Sequence, residues 1–183
     1  HYTTLFRYTP VILENTEPLP FEIDQRKLPT SLEIVSLHTY LDVTNAIQNM
    51  TVRGAPAIGA AAAFGMALAA NKSMAKSVTA FLSDLETAAR ILKASRPTAI
   101  NLAWAVDRIL KVLTKVTGSV DDLRTRVLAE AQSIADEDVE ANKRMGRHGA
   151  SLIDDCNAVS CVRVRETVAW KVQFDCRCPA RSM

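Results

Sequence analysis

Aromatic residues are scarce in this 183-residue chain, in which Phe, Trp and Tyr together make up 5% of the sequence. Proteins that bind single-stranded nucleic acid stack its bases on aromatic side chains, and binding to a duplex needs a concentrated basic face. The chain has 22 Lys and Arg against 20 Asp and Glu, a net charge of +2, without a tight run of basic residues. We therefore expect no nucleic acid among its partners.

Cysteine is absent from the first 155 residues, and all four cysteines (Cys156, Cys161, Cys176 and Cys178) fall in the last segment. Their C-x4-C and C-x-C spacings lack the matching His pair that would indicate zinc. A disulfide framework would spread its cysteines over the whole fold. The acidic residues at positions 136–140 are typical of a solvated helix face. We predict no metal site.

Long apolar runs are also lacking. The most apolar stretch, residues 56–70, is short for a bilayer span and consists mostly of Ala and Gly. The first residues do not combine a basic region, an apolar stretch and a small-residue cleavage site, as a secretory leader does. We therefore expect a cytoplasmic protein that does not associate with membranes.

Hydrophobic periodicity predicts five helices after a proline-rich N-terminal region that contains a short strand near Ile34. The helices are predicted to begin at Asp42 or Thr44, at Pro56, near Val78, at Pro97 and after Ser119, and the last ends near Gly146 or Gly149. The predicted fold class is mainly α with a small N-terminal β element. The predicted domains are residues 1–150 and a second segment at residues 151–183.

Two glycines lie among the alanines of the helix predicted to begin at Pro56. Gly59 and Gly65 each cost about 1 kcal/mol of helix propensity relative to Ala. We expect close contact with neighbouring helices to offset this cost.

The start of that helix is a candidate anion site. Proline prefers the first helical position, which makes Ala55 the predicted N-cap, and an alanine cannot cap the first amides with its side chain. Free amides at the positive end of a helix dipole attract anions. Gly54 would let a ligand approach the backbone, and Arg53 supplies a guanidinium. The equally weighted alternative is a tight turn between helices with a surface arginine.

A second arginine precedes a proline at Ser95-Arg96-Pro97-Thr98. If Pro97 also begins a helix, Arg96 and Arg53 occupy equivalent places at two helix starts. A shared phosphate pocket is then favoured over two unrelated surface arginines.

Cys156 is followed by Asn157 just after the helical region. A thiol with a lowered pKa can act in catalysis, whereas a lone cysteine is more often structural.

Four motifs in residues 20–155 resemble the S-methyl-5-thioribose-1-phosphate isomerase family. They are Asp24-Gln25-Arg26-Lys27-Leu28-Pro29, Val52 to Gly59, Ala63 to Ala70, and Ser95 to Leu102 with Trp104. The superfamily also includes the alpha, beta and delta regulatory subunits of a eukaryotic translation-initiation guanine-nucleotide exchange factor. The two arginine motifs are more specific to the isomerase.

The resemblance implies a helical N-terminal domain, a Rossmann-like C-terminal domain, a homodimer when full length, and no metal or organic cofactor. It implies that Arg53, Gly54 and Ala55 bind the substrate phosphate and that Arg96 is a second substrate-binding residue. The family's reaction belongs to methionine salvage and converts the aldose 5-methylthioribose 1-phosphate into the ketose 5-methylthioribulose 1-phosphate. The family is thought to use a Cys and an Asp in an apolar pocket, which would raise the pKa of the Asp and let it donate a proton.

The final segment departs from the family's pattern. The family's catalytic Cys lies in T-x-C-N-[AT]-G, whereas Val159 follows Cys156-Asn157-Ala158 here. An ungapped continuation would place the catalytic position near Cys161, but motif chemistry favours Cys156. From about Val159 the chain resembles a foreign reading frame, and the family's Rossmann-like half and its catalytic Asp are missing.

Three functions follow from these observations. The first is an isomerase fragment that is weakly active or inactive alone. The second is a non-enzymatic regulatory subunit related to the exchange factor, and the third is a non-functional truncated product. The presence of both Arg53 and Arg96 favours the first, because a scaffold needs neither.

Overall fold

The computed structural model of the chain describes residues 21–114 and 118–151. These ranges contain the strands β1 (Phe21–Ile23) and β2 (Ile34–Ser36) and the helices α1 (Tyr40–Gln48), α2 (Ala55–Lys72), α3 (Val78–Ser95), α4 (Ile100–Leu113) and α5 (Val120–Ala150). The strands pair antiparallel, with Glu22 opposite Val35. The predicted class, mainly α with a small N-terminal β element, is confirmed. The predictions for residues 1–20, for Cys156 and Cys161, and for the tail lie outside the described residues.

Helix α2 forms the centre of the described core. Every residue from Ala57 to Ala70 is buried, and α1, α3 and α4 pack against this helix. Its small residues allow the neighbouring helices to approach closely. A Cβ added to Gly65 would lie 3.1 Å from a methyl of Leu92 and 3.3 Å from a methyl of Val43. The prediction that the glycines of this helix serve close helix contacts is confirmed.

The start of α1 differs from the prediction, because Thr39 caps the helix. Thr39 Oγ1 accepts a hydrogen bond from the Asp42 N–H at 3.1 Å, and the Asp42 carboxylate accepts one from the Thr39 N–H at 2.8 Å. Asp42 is therefore the third residue of a helix that begins at Tyr40, not its cap.

Ser119 and Asp122 form a reciprocal capping pair at the start of α5, which confirms that this helix begins after Ser119. The Asp122 N–H donates to Ser119 Oγ at 3.2 Å, and the Ser119 N–H donates to the Asp122 carboxylate at 2.8 Å. These bonds satisfy two backbone N–H groups at the start of the longest described helix.

An ion-pair network joins α4 to α5. Arg108 on α4 donates to Glu130 at 2.7 Å and, through both terminal nitrogens, to Glu137 at 2.6 and 2.7 Å. The guanidinium lowers the pKa of Glu137 to about 2. Five buried apolar residues of α5 face the same core: Leu123, Val127, Ala131, Ile134 and Ala135.

The contacts divide the chain into two compact units between residues 138 and 139, inside α5. All the contacts above belong to the first unit. In the second unit the structure describes residues 139–151, of which residues 139–150 belong to α5 and Ser151 forms a turn. The predicted domain boundary at residue 150 stays a prediction. Within residues 21–114 and 118–151, no helix has the length and apolar character of a membrane span.

Candidate functional site

The first turn of α2 has no side-chain cap. Its N-cap is Gly54, whereas the sequence predicts Ala55. Ala55 and Pro56 are instead the first two helical residues. Gly54 has a φ of 97°, a conformation that glycine adopts without strain, so the chain enters the helix one residue earlier than expected. Ile58 is the first residue whose N–H bonds within the helix, to the Gly54 carbonyl at 2.9 Å.

Two backbone N–H groups are consequently free at this helix start. Neither Ala55 nor Ala57 has a hydrogen-bond acceptor in the described part of the chain, and Pro56 has no N–H. Gly54, Ala55 and Pro56 are exposed, so an anion can reach the turn. The expected uncapped start is present, although the capping residue is different.

Arg53 is half-buried and is held by Gln25 at two points. Arg53 Nη2 donates to the Gln25 carbonyl at 2.5 Å, and the Arg53 carbonyl accepts from Gln25 Nε2 at 3.0 Å. Arg53 Nε is buried and has no acceptor among the described residues. A buried donor without a partner is costly, so this guanidinium can take an additional acceptor.

The loop that carries Gln25 is itself fixed. The Asp24 carboxylate accepts from Arg26 Nε at 2.9 Å and from Nη2 at 2.7 Å, and the Arg26 N–H donates to it at 3.1 Å. The Arg26 guanidinium lowers the pKa of Asp24 to about 2, so the carboxylate is ionised at neutral pH. The Gln25 N–H donates to the Thr51 carbonyl at 3.0 Å. Residues 24–26 thus fix the segment that leads into Arg53.

Arg96 lies at the C-cap of α3, and the prediction that Pro97 begins the next helix is wrong. Pro97 and Thr98 form a turn that is closed by a 3.0 Å hydrogen bond from the Ala99 N–H to the Arg96 carbonyl. Helix α4 begins only at Ile100, with Ala99 as an N-cap that makes no side-chain hydrogen bond. Arg96 is half-buried as a residue, and its guanidinium has no hydrogen bond or ion pair to the described residues.

The starts of α2 and α4 are neighbours. A Cβ added to Gly59, in the second turn of α2, would lie 3.1 Å from the backbone oxygen of Asn101, in the first turn of α4. Two helix ends with positive dipoles and no side-chain caps therefore meet in one region. Arg53 directly precedes the N-cap of one helix, and Arg96 precedes the other by a short turn.

The remaining candidate residues, Cys156 and Cys161, lie outside the described residues. In residues 21–114 and 118–151, no group of three or more His, Cys, Asp or Glu could hold a metal ion. Sequence reasoning missed Gln25, because its contact with Arg53 spans 28 residues. The family motif at residues 24–29, which contains Gln25, was the feature of the sequence that could have pointed to this residue.

Comparisons with known proteins match the chain to two groups. The initiation factor 2 subunit family matches residues 51–168. A methylthioribose-1-phosphate isomerase from Caldanaerobacter subterraneus subsp. tengcongensis is 47% identical over 142 residues, which are 77% of this chain and 41% of that protein.

Two solved structures have similar folds. A crystal structure of 5-methylthioribose 1-phosphate isomerase from Pyrococcus horikoshii OT3 matches with a TM-score of 0.73 and 45% identity, over 81% of this chain and 44% of that chain. A crystal structure of translation initiation factor eIF-2B, subunit delta, from A. fulgidus matches with a TM-score of 0.70 and 40% identity, over 74% and 40%. The chain thus spans less than half the length of these relatives.

Proposed function

Because the chain belongs to the initiation factor 2 subunit family, we propose that it supplies the phosphate-binding half of an aldose–ketose isomerase. The proposed reaction converts 5-methylthioribose 1-phosphate into 5-methylthioribulose 1-phosphate, in methionine salvage. The names of the isomerase relatives support this reaction. The proposal includes the cytoplasmic location expected from the sequence and the homodimer that the family resemblance implies.

One observation carries the proposal. Arg53 has a buried Nε with no acceptor among the described residues, beside a helix start whose Ala55 and Ala57 N–H groups are also free. A phosphate has enough oxygens to accept from both the guanidinium and the amides. The positive end of a helix dipole disfavours a nearby arginine unless an anion is bound between them.

The reaction explains why the phosphate should be held firmly. In an aldose 1-phosphate the phosphate is attached to C1, and during isomerisation C1 gains a hydrogen while C2 loses one and becomes the carbonyl carbon. The phosphate stays on C1 throughout, so an anchor on the phosphate also fixes the reacting carbons. We assign this anchoring to Arg53, Gly54 and Ala55, with Arg96 as a second cation.

Proton transfer is assigned to other residues. Cys156 is the proposed thiol that assists the transfer or stabilises the transition state. The family's proton-donating Asp belongs to the half of the relatives that this chain does not span. We therefore expect the 183-residue chain to bind the substrate and to show weak or no turnover alone, which a coupled assay for the ketose product would measure.

Calorimetry with ribose 1-phosphate tests the proposal. The wild-type chain should bind, and Arg53→Ala should bind about 10- to 100-fold more weakly, because a charge-assisted hydrogen bond contributes about 1.5–3 kcal/mol. The matched control is Arg126→Ala, which removes the same charge at an exposed position of α5 and should leave affinity unchanged. Equal affinities in all three proteins would refute the phosphate site.

The similarity to an initiation-factor subunit favours a second candidate function. In that case the chain is a regulatory subunit that binds protein partners and not a sugar phosphate. Co-purification with initiation-factor subunits, combined with no heat of binding for ribose 1-phosphate, would support this alternative over the isomerase.

A further inference from the structure

We propose that Gln25 is a positioning residue of the anion site, because it orients both the backbone and the guanidinium of Arg53. This inference rests on the proposed function, since it concerns the same phosphate. It adds a residue from the loop at positions 24–29 to a site otherwise built at two helix starts.

The first step concerns the peptide that joins Arg53 to Gly54. Its carbonyl accepts a hydrogen bond from Gln25 Nε2 at 3.0 Å. Since a trans peptide is planar, fixing this carbonyl directs the Gly54 N–H to the opposite side. Gly54 has a φ of 97°, in a region where glycine is little restricted, so this peptide could rotate easily without the amide of Gln25.

The second step concerns the guanidinium. Arg53 Nη2 donates to the Gln25 carbonyl at 2.5 Å, so one residue holds both ends of Arg53. An arginine loses much rotamer freedom when it is fixed. Because Gln25 already restricts the side chain, less of that entropy is lost when an anion binds. Nε and Nη1 have no acceptor among the described residues and stay available to a ligand.

The third step is that the surrounding fold holds Gln25 in place. Only 8% of the residue is exposed, and its N–H donates to the Thr51 carbonyl at 3.0 Å. Its two neighbours in the chain are also joined, because the Arg26 guanidinium donates two hydrogen bonds to the Asp24 carboxylate. Because Gln25 is held in place, its two hydrogen bonds to Arg53 restrict the position of Arg53 as well.

Two variants of the full 183-residue chain test the proposal with ribose 1-phosphate. Gln25→Met keeps the length of the side chain and removes the donor, and we expect about a tenfold loss of affinity. Gln25→Glu at pH 8 places a carboxylate against the Arg53 carbonyl, and we expect a larger loss. Towards pH 5 the introduced carboxyl becomes protonated and can again donate a hydrogen bond to the Arg53 carbonyl. The difference in affinity between this variant and wild type should therefore be smaller at pH 5 than at pH 8.

Protonation of a buried carboxylate at pH 5 would also relieve any destabilisation of the fold, so binding and stability must be measured together. Urea unfolding of each variant at both pH values separates the two roles, because a positioning role predicts weaker binding by a chain that is still fully folded. The matched control is Gln48→Glu, which adds the same charge at an exposed position. This variant should bind like wild type at both pH values.

A measurement without ligand keeps the inference distinct from the proposed function. In Gln25→Met, the NMR signal of the Gly54 amide should shift, because the peptide that contains this amide is no longer held by Gln25. Wild-type affinity in Gln25→Met overturns the positioning role while leaving the phosphate site intact. If the wild-type chain does not bind ribose 1-phosphate, the proposed function fails. The NMR signal of the Gly54 amide in Gln25→Met then still tests whether Gln25 orients this peptide, and an unchanged signal overturns that role.

Discussion

Arg124 Nε, on α5, donates a hydrogen bond to the Ala70 carbonyl in the last turn of α2 at 3.1 Å. Its Nη2 donates to the Ser73 carbonyl, at the C-cap of the same helix, at 2.6 Å. A cation at the C-terminus of a helix is favourable, whereas the dipole opposes Arg53 at the N-terminus. The same side-chain type therefore stabilises the fold at one end of α2 and is free for a ligand at the other.

Replacing Arg124 should destabilise the protein. Arg124→Met removes two hydrogen bonds to helix-end carbonyls, and we expect the free energy of unfolding to fall by about 2 kcal/mol. Urea unfolding followed by circular dichroism measures the change. Arg126→Met, at an exposed position of the same helix, should change stability by less than about 0.5 kcal/mol. Similar losses in the two variants would contradict this role of Arg124.

Enlarging Gly59 should separate α2 from α4. A side chain there meets the backbone oxygen of Asn101, which cannot rotate away, so Gly59→Val should destabilise by about 2 kcal/mol. A Cβ at Gly146, also helical, has nothing within 4 Å, and Gly146→Val should change stability by less than about 0.5 kcal/mol. Thermal unfolding of both variants measures the difference in stability between them. Equal stabilities would show that α2 and α4 are loosely packed at Gly59.

The ion pair between Arg108 and Glu137 predicts a pH dependence of stability. The folded pKa of Glu137 is about 2, below its ordinary value of 4.5. Its contribution is therefore fully present above about pH 4.5 and is lost as the pH falls towards 2. Because 54% of the Glu137 side chain is exposed, the contribution should be below about 1 kcal/mol.

Acid titration of Glu137→Gln measures this contribution. The stability of wild type should fall more steeply than that of the variant between pH 4.5 and 2. Glu86→Gln, at an exposed position of α3, should follow the wild-type curve. Parallel curves for wild type and Glu137→Gln would show that the pair does not stabilise the fold.

A double-mutant cycle tests whether Arg53 and Arg96 bind the same phosphate. If they do, the two alanine substitutions should be non-additive in the binding free energy of ribose 1-phosphate, with a coupling of about 0.5–3 kcal/mol. Calorimetry on the two single variants and the double variant gives this value. Strict additivity would mean that Arg96 acts elsewhere.

Local sequence signals predicted the helices but not all of their first residues. The apolar positions of α3 and α4 and the small residues of α2 were sufficient to identify these three helices and the faces that they bury. Asp42 was misread because an acidic residue suits both the N-cap and the third position of a capping box. Pro97 was misread because the same φ suits the first residue of a helix and a position in a turn.

The site could be predicted only where it is local. Arg53 and the uncapped turn after it are adjacent in the sequence, and helix-start chemistry identified them. Gln25 contacts Arg53 across 28 residues, through a loop that has no periodicity. The adjacency of the two helix starts depends on the packing of Gly59 against Asn101, which no local pattern encodes.

That contact also limits how the site can change. Main chain lies against main chain where α2 crosses α4, so the distance between the two anion-attracting ends does not depend on any rotamer. Point substitutions elsewhere on these helices can alter which cations line the site but can hardly change this spacing. A protein of this fold that accommodated a bulkier anion between these helix starts would need an insertion in the turn at residues 96–99 or in the segment at residues 49–54.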